Sequence, residues 1–142
     1  MSGGWDGTFD GFNTVEAYEH VSNSWTRMPS MNVSRYRHSL VAIKNKLFAV
    51  AGRNRHRLNS CEVYDCLSDK FVFIKPPKSH SFQFNLKRAV ARTAVTMANK
   101  IVVFGRSELV AFYDVDKKEW SEEGCEITKN YRRLCLVKVP QL

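Results

Sequence analysis

The sequence predicts an all-β protein made of repeated four-stranded units. A short segment that ends in tyrosine occurs three times, with the tyrosines 46 and 49 residues apart. A large aromatic residue follows each tyrosine by seven positions. The three pairs are Tyr18 and Trp25, Tyr64 and Phe71, and Tyr113 and Trp120. A repeat period near ~50 residues is typical of units that stack side by side, and no helical periodicity competes with it.

Each unit is predicted to be an antiparallel meander of four strands, which we call A to D. Strands A and B flank an asparagine, Asn45 or Asn99, where a two-residue hairpin turn needs a positive φ that asparagine tolerates. Strand B ends at a glycine pair, strand C carries the tyrosine, and strand D carries the second aromatic residue. The β-branched and aromatic residues of strand B suit a half-buried strand.

The repeated glycines and aromatic residues are predicted to be structural. Glycine lets two backbones approach closely where a side chain would not fit. The aromatic residues are expected to fill the space between neighbouring units, each contributing roughly 1.5 to 3 kcal/mol, and we favour this over a platform that stacks nucleic-acid bases. The predicted structural residues are Gly3, Gly4, Tyr18, Trp25, Gly52, Tyr64, Phe71, Gly105, Tyr113 and Trp120.

The repeat resembles the kelch repeat of the kelch-like proteins. The stretch from Asn13 to Gly52 carries this resemblance best, through the segments NTVEAYEHVSNSW, PSMNVSRYRHS and NKLFAVAG. The later repeats depart from the family pattern, because Ala51 and Arg106 each stand in place of a glycine and Ala111 stands in place of a glutamate. The resemblance implies that the four-stranded units are blades of a β-propeller.

The strand count indicates about three blades, forming a partial kelch-repeat domain over residues 1–142. Residues 1–34 are the end of one blade, 35–74 a second blade, 88–122 a third, and 130–142 the first strand of a fourth. Propellers typically have four to eight blades, so the predicted ring is incomplete. We expect a fragment of a longer protein; the alternatives are a truncated gene product and a half-ring that another chain completes.

Composition limits the other function classes. The four cysteines have neither metal-ligand nor disulfide-framework spacing, which favours a reducing compartment, the cytoplasm or the nucleus. The histidines are scattered, so we expect no metal site and no cofactor. The net charge of +8 suits nucleic acid, anionic membrane or acidic protein partners. Because there is no nucleic-acid motif and no apolar run of about 18 residues, we expect a protein partner.

The loops suggest where that partner binds. In a four-stranded meander the B–C and D–A loops lie at one end of the blade, and binding residues are often carried by such loops. Arginines collect there, and arginine pairs with carboxylates through two parallel hydrogen bonds. The predicted partner-binding residues are Arg35, Arg37, Arg53, Arg55, His56, Arg57, Arg106 and Arg132, with Trp5 and Phe9 from the first loop.

We hypothesise that this face binds an acidic peptide or degron; the alternative is that the arginines are only solvated. The resemblance adds that Arg37 matches a position which, in some members of the family, faces the central channel and contacts acidic ligands. The first loop combines aromatic residues with flexible glycines, as exposed anchors of an interface often do. The alternative is that Phe9 and Phe12 fold back over the blade.

The sequence shows no Ser-His-Asp or Cys-His arrangement and no phosphate-binding glycine loop, so we do not expect an enzyme. The resemblance implies a protein–protein interaction module. It further implies the substrate-recognition part of a cullin-RING ubiquitin ligase adaptor, in which BTB and BACK domains outside this sequence engage the cullin. The alternatives are an actin-binding cytoskeletal kelch protein and a nonfunctional truncated fragment.

Overall fold

The computed structural model describes residues 1–7, 10–58, 60–74, 93–104 and 109–124. No helix that could span a membrane occurs among these residues. They form ten strands: β1 (Val15–Glu19), β2 (Ser24–Met28), β3 (Ser39–Ile43), β4 (Lys46–Val50), β5 (Cys61–Asp65), β6 (Lys70–Ile74), β7 (Thr93–Met97), β8 (Lys100–Phe104), β9 (Leu109–Asp114) and β10 (Glu119–Gly124).

The strands form three antiparallel sheets, which confirms the predicted all-β fold of stacked meanders. β1 pairs with β2, β3 to β6 pair in sequence order, and β7 to β10 do the same. We call these sheets blades 1, 2 and 3. In the described ranges the sheets do not close into a ring. The fourth strand predicted in residues 130–142 lies outside the described residues.

The hairpin turns follow the predicted positions, with one correction. Between β3 and β4, Lys44 and Asn45 have φ of 50° and 57°, the backbone that a two-residue hairpin turn requires. Between β7 and β8 the left-handed residue is Ala98, with φ of 49°, and not the predicted Asn99. Asn99 instead donates a side-chain hydrogen bond to the Asp116 carboxylate. The asparagine at position 99 is therefore explained by its hydrogen bond to the turn between β9 and β10, and not by the conformation of its own hairpin.

The seven-residue spacing of the aromatic pairs has a simple cause in the strand register. Each tyrosine lies directly opposite the aromatic residue that follows it across a four-residue turn. The ring centroids are 5.1, 5.4 and 5.0 Å apart in blades 1, 2 and 3. Residues that face each other across antiparallel strands present their side chains on the same face, so each pair forms one aromatic patch.

Two apolar cores join the blades, and each places the aromatic pair against the preceding blade. Phe71 packs with Val15 and Met31 between blades 1 and 2. Tyr113 packs with Phe48 and Cys61 between blades 2 and 3. The backbone N–H of Ala94 donates to Ser39 Oγ at 3.0 Å, which links the first strands of blades 2 and 3. The blades are therefore stacked face to face in chain order.

The expected burial of Tyr18 and Trp25 is wrong for this chain. Tyr18 is 50% exposed and Trp25 is 59% exposed, whereas Phe71 at the same place in blade 2 is 4% exposed. The cause is the direction of the patch. In blades 2 and 3 the patch packs against the preceding blade, whereas none of the described residues covers the patch of blade 1.

The glycine positions at the ends of strand B are explained by backbone conformation and space. Gly3 has φ of 57° and Ala51, at the equivalent place in blade 2, has φ of 54°. A Cβ atom added at Gly3 would collide with the backbone oxygen of Arg35. Gly52 has φ of 95°, and a Cβ atom there would lie 2.7 Å from His38 Cβ. Gly105 lies outside the described residues.

Candidate partner-binding site

The first loop, between the start of the chain and β1, is tied to the segment that leads into blade 2. Gly4 donates its backbone N–H to the Arg35 oxygen at 2.9 Å, and Phe12 donates to the Gly4 oxygen at 3.0 Å. Arg35 donates in turn to the Phe12 oxygen at 2.9 Å. These hydrogen bonds bring Trp5 over Tyr36, with ring centroids 5.6 Å apart and planes inclined by 20°. Trp5 remains 53% exposed, so the stack presents an aromatic surface to solvent.

The second loop, residues 53–58, is a tight turn that projects its basic side chains. Arg53 exchanges two backbone hydrogen bonds with Tyr36, at 2.8 and 2.9 Å. Asn54 donates to the His56 backbone oxygen at 2.9 Å and accepts from the His56 N–H through Oδ1 at 3.0 Å. Arg55, His56 and Arg57 are exposed as a result. The turn thus exposes three basic residues next to Arg53, which is paired with Tyr36 of the aromatic stack.

Arg55 joins the two loops through an ion pair with Asp10. Arg55 Nε donates to Asp10 Oδ1 and Arg55 Nη2 donates to Oδ2, both at 2.8 Å. Both side chains are exposed. The hydrogen bond lowers the pKa of Asp10 and raises the pKa of Arg55, so the pair is ionised at neutral pH. The arrangement shows how this loop binds a carboxylate.

Arg37 and Arg53 add further positive charge to the same end. Arg37 is exposed and has a φ of 53°, so the backbone turns just before β3 begins. Arg53 is half-buried, and its Nε atom is buried without a hydrogen-bond partner in the described part of the chain. We define the loop face as Trp5, Tyr36, Arg37, Arg53, Arg55, His56 and Arg57.

Arg35 does not belong to the loop face, which corrects the prediction that it contacts a partner. Its side chain is 0% exposed. The guanidinium donates to Glu62 through Nε at 3.1 Å and Nη2 at 2.7 Å, to Ser60 Oγ at 2.9 Å, and to the backbone oxygens of Ala51 and Ser60 at 2.7 and 2.8 Å. All five of its N–H donors are therefore used inside the protein.

His38 lies beneath the loop face as a neutral side chain. Its Nε2 atom is 2.8 Å from Ser2 Oγ, and Nδ1 is buried without a partner among the described residues. Burial and the nearby Arg35 guanidinium lower the pKa of His38 to about 4. Because it is uncharged at neutral pH, His38 packs against the backbone at Gly52 without adding to the positive charge above it.

Three predicted binding residues, Phe9, Arg106 and Arg132, lie outside the described residues. The structure also adds two residues that sequence reasoning missed at this site, Tyr36 and Asp10. A tyrosine between Arg35 and Arg37 carries no periodic signal, and the pairing of Asp10 with Arg55 spans 45 positions along the chain. Within the described ranges, no group of three or more histidine, cysteine, aspartate or glutamate residues is arranged to hold a metal ion.

Comparison with known proteins places this architecture in a family. Residues 2–32 and 34–78 match the Kelch motif. Kelch-like protein 15 of Danio rerio is 39% identical over 72 residues, 50% of this chain and 12% of the relative. Kelch-like protein 15 of Mus musculus is 30% identical over 125 residues, 87% of this chain and 20% of the relative. Kelch-like protein 35 of Mus musculus is 32% identical over 108 residues, 70% of this chain and 17% of the relative.

The chain thus spans about a fifth or less of the length of these curated relatives. The matched residues cover blades 1 and 2 and the loop face between them. The repeated meanders and the aromatic pairs of the structure agree with these sequence matches in indicating kelch repeats. The chain therefore belongs to the kelch-repeat family of protein-interaction modules.

Proposed function

We propose that the loop face binds an acidic segment of a partner protein. The observation that carries the proposal is that exposed Arg37 directly follows Tyr36 of the aromatic stack, and that exposed Arg55 lies in the turn that pairs with Tyr36 through Arg53. Arginine recognises carboxylates through its planar fork, and exposed aromatic residues next to arginine are typical anchors of interfaces. The net charge of +8 attracts an acidic partner over a longer range. The proposed role is binding without catalysis.

The direct test measures binding of a fluorescein-labelled oligoglutamate of about ten residues by fluorescence anisotropy, with a glycine–serine peptide of equal length as the uncharged control. We expect Arg37→Ala and Trp5→Ala each to weaken oligoglutamate binding several-fold. Lys70→Ala removes the same charge from an exposed residue at the start of β6, beside the turn between β5 and β6 at the opposite end of the blade, and is the matched control. Equal losses for Arg37→Ala and Lys70→Ala would mean that only net charge attracts the peptide, and would refute a site at the loop face.

We also propose that a longer protein containing this chain is a substrate adaptor of a cullin-RING ubiquitin ligase. The resemblance to kelch-like proteins supports this role, since the kelch blades would then select the acidic segment, or degron, to be ubiquitinated. Affinity purification of the longer protein should recover a cullin. Recovery of an acidic partner without any cullin would refute the adaptor role and leave the binding role intact.

The proposed location of the protein is the cytoplasm or the nucleus. Its support is that Cys61 and Cys66 are free thiols. Burial raises the pKa of Cys61 to about 11, as expected for a packed thiol that does not take part in redox chemistry. Cell fractionation of the endogenous protein tests the location, and recovery in the secretory pathway would contradict it.

A further inference from the structure

We propose that Asp10 is an internal competitor for Arg55 and thereby limits how tightly the loop face binds acidic partners. The inference rests on the proposed function, because it concerns the affinity of that same face. Asp10 lies in the first loop and Arg55 in the second, so the contact crosses from blade 1 to blade 2. It places a carboxylate of the protein itself where the carboxylate of a partner would bind.

The geometry of the contact is that of carboxylate recognition. Both Asp10 oxygens accept hydrogen bonds from one edge of the guanidinium, Nε and Nη2, at 2.8 Å each. Two parallel charge-assisted bonds of this length are the strongest common mode in which arginine binds a carboxylate. A glutamate or aspartate of a partner would use this same edge of Arg55.

The backbones around Asp10 and Arg55 are held in place by packing and hydrogen bonds. Next to Asp10, a Cβ atom at Gly11 would lie 2.8 Å from the Gly4 oxygen and 3.1 Å from Tyr36, so this part of the loop packs closely against the segment that leads into blade 2. Around Arg55, the two hydrogen bonds between Asn54 and His56 close the turn. Because both residues are held near each other before any partner arrives, the contact loses little conformational freedom when it forms.

Asp10 opposes an acidic partner in either of two binding modes. Arginine has five N–H donors, of which Asp10 engages two. A partner carboxylate that approaches the same edge must first displace Asp10. One that approaches the remaining donors comes close to the Asp10 charge and is repelled. Removal of the Asp10 charge therefore strengthens acidic binding in both modes.

The expected size of the effect is modest, because both side chains are exposed. Exposed ion pairs contribute little free energy, and we therefore expect Asp10→Asn to tighten the binding of oligoglutamate by only about two- to fivefold. The matched control is Glu119→Gln, which removes the same charge from an exposed residue at the start of β10, at the opposite end of its blade. Any general effect of net charge will appear in both variants.

The experiment titrates the fluorescein-labelled oligoglutamate against the full chain and four variants: Asp10→Asn, Glu119→Gln, Arg55→Ala, and Asp10→Asn combined with Arg55→Ala. Circular dichroism confirms that each variant is folded. We expect Asp10→Asn to bind two- to fivefold more tightly than Glu119→Gln. In the Arg55→Ala background, we expect Asp10→Asn to tighten the binding of oligoglutamate no more than Glu119→Gln tightens it in the parent chain.

Each remaining outcome contradicts the inference in a distinguishable way. If Asp10→Asn binds no more tightly than Glu119→Gln, or if it tightens binding just as much in the Arg55→Ala background, Asp10 does not compete for Arg55, although the loop face still binds acidic peptides. If Asp10→Asn binds more weakly than Glu119→Gln, the ion pair instead stabilises the loop conformation that the partner binds, and the inference is wrong. If no folded protein binds oligoglutamate, the proposed function fails, and the inference fails with it.

Discussion

Arg35 and Glu62 form a completely buried ion pair, with Nη2 and Oε1 2.7 Å apart, at the junction between blades 1 and 2. The Glu62 carboxylate also accepts hydrogen bonds from the backbone N–H groups of Asn32 and Val33, at 2.6 and 3.2 Å. One carboxylate on β5 thereby holds the whole segment that connects the two blades. The pair explains why an arginine predicted to bind a partner is instead part of the interior.

Glu62→Ala should destabilise the protein by roughly 3 to 5 kcal/mol, because it leaves the Arg35 charge buried without its partner. Glu16 holds the equivalent place in β1 and is only half-buried, so Glu16→Ala is the matched control and should lower the free energy of unfolding by less than about 1 kcal/mol. Urea denaturation measures both values. Similar losses for the two variants would show that the buried pair contributes little to the blade junction.

Trp25 and Phe71 occupy the same place in successive repeats but differ in burial, at 59% and 4% exposed. Phe71→Ala should lower the free energy of unfolding by roughly 3 to 5 kcal/mol, because it leaves a cavity between blades 1 and 2. Trp25→Ala should lower it by only about 1 kcal/mol, the value of the contact with Tyr18. Thermal or urea unfolding of the two variants tests the difference, and a larger loss for Trp25→Ala would contradict the exposed position of blade 1's aromatic patch.

Gly52→Ala and Gly7→Ala separate backbone strain from crowding. The two glycines have similar φ, 95° and 99°, but a Cβ atom would lie 2.7 Å from His38 Cβ at Gly52 and would meet nothing within 4 Å at Gly7. We expect Gly52→Ala to cost roughly 2 to 4 kcal/mol, the sum of strain and overpacking, and Gly7→Ala roughly 1 kcal/mol from strain alone. Equal losses in urea denaturation would mean that the contact with His38 relaxes freely.

His38 should make the protein less stable in mild acid. Its pKa is lowered from 6.5 to about 4 in the folded protein, mainly by burial. Below pH 6.5 the unfolded chain therefore binds a proton that the folded protein excludes until about pH 4. The free energy of unfolding contributed by His38 is complete above pH 6.5 and is lost as the pH falls to 4, by up to roughly 2 to 3 kcal/mol given the partial exposure of the ring.

His38→Asn provides the measurement for this pH effect. Asparagine does not titrate, so the variant should lose less stability than the parent chain between pH 6.5 and pH 4 in urea denaturation. His56→Asn, at an exposed histidine of the second loop, is the control and should leave the pH dependence close to that of the parent chain. An unchanged pH dependence in His38→Asn would contradict the lowered pKa.

The strand arrangement of this protein could be predicted because its signals are local. The spacing of seven from Tyr64 to Phe71 corresponds to two strands and a four-residue turn, and the register of β5 and β6 follows from it. The hairpin at Asn45 follows in the same way from a residue that tolerates positive φ. The candidate site was only partly predicted, since the exposed arginines of the second loop were identified but Tyr36 and Asp10 were not.

The sequence by itself determined the repeat, the order of the strands and the position of the aromatic pairs, because each depends on residues close together in the chain. Only the tertiary structure decided which of these side chains are buried. Arg35 and Arg37 are two positions apart, yet Arg35 is buried in an ion pair with Glu62, whereas Arg37 has a left-handed backbone and is exposed. Tyr18 and Trp25 follow the same pattern as the other pairs but are exposed, because burial depends on the neighbouring blade and not on the repeat itself.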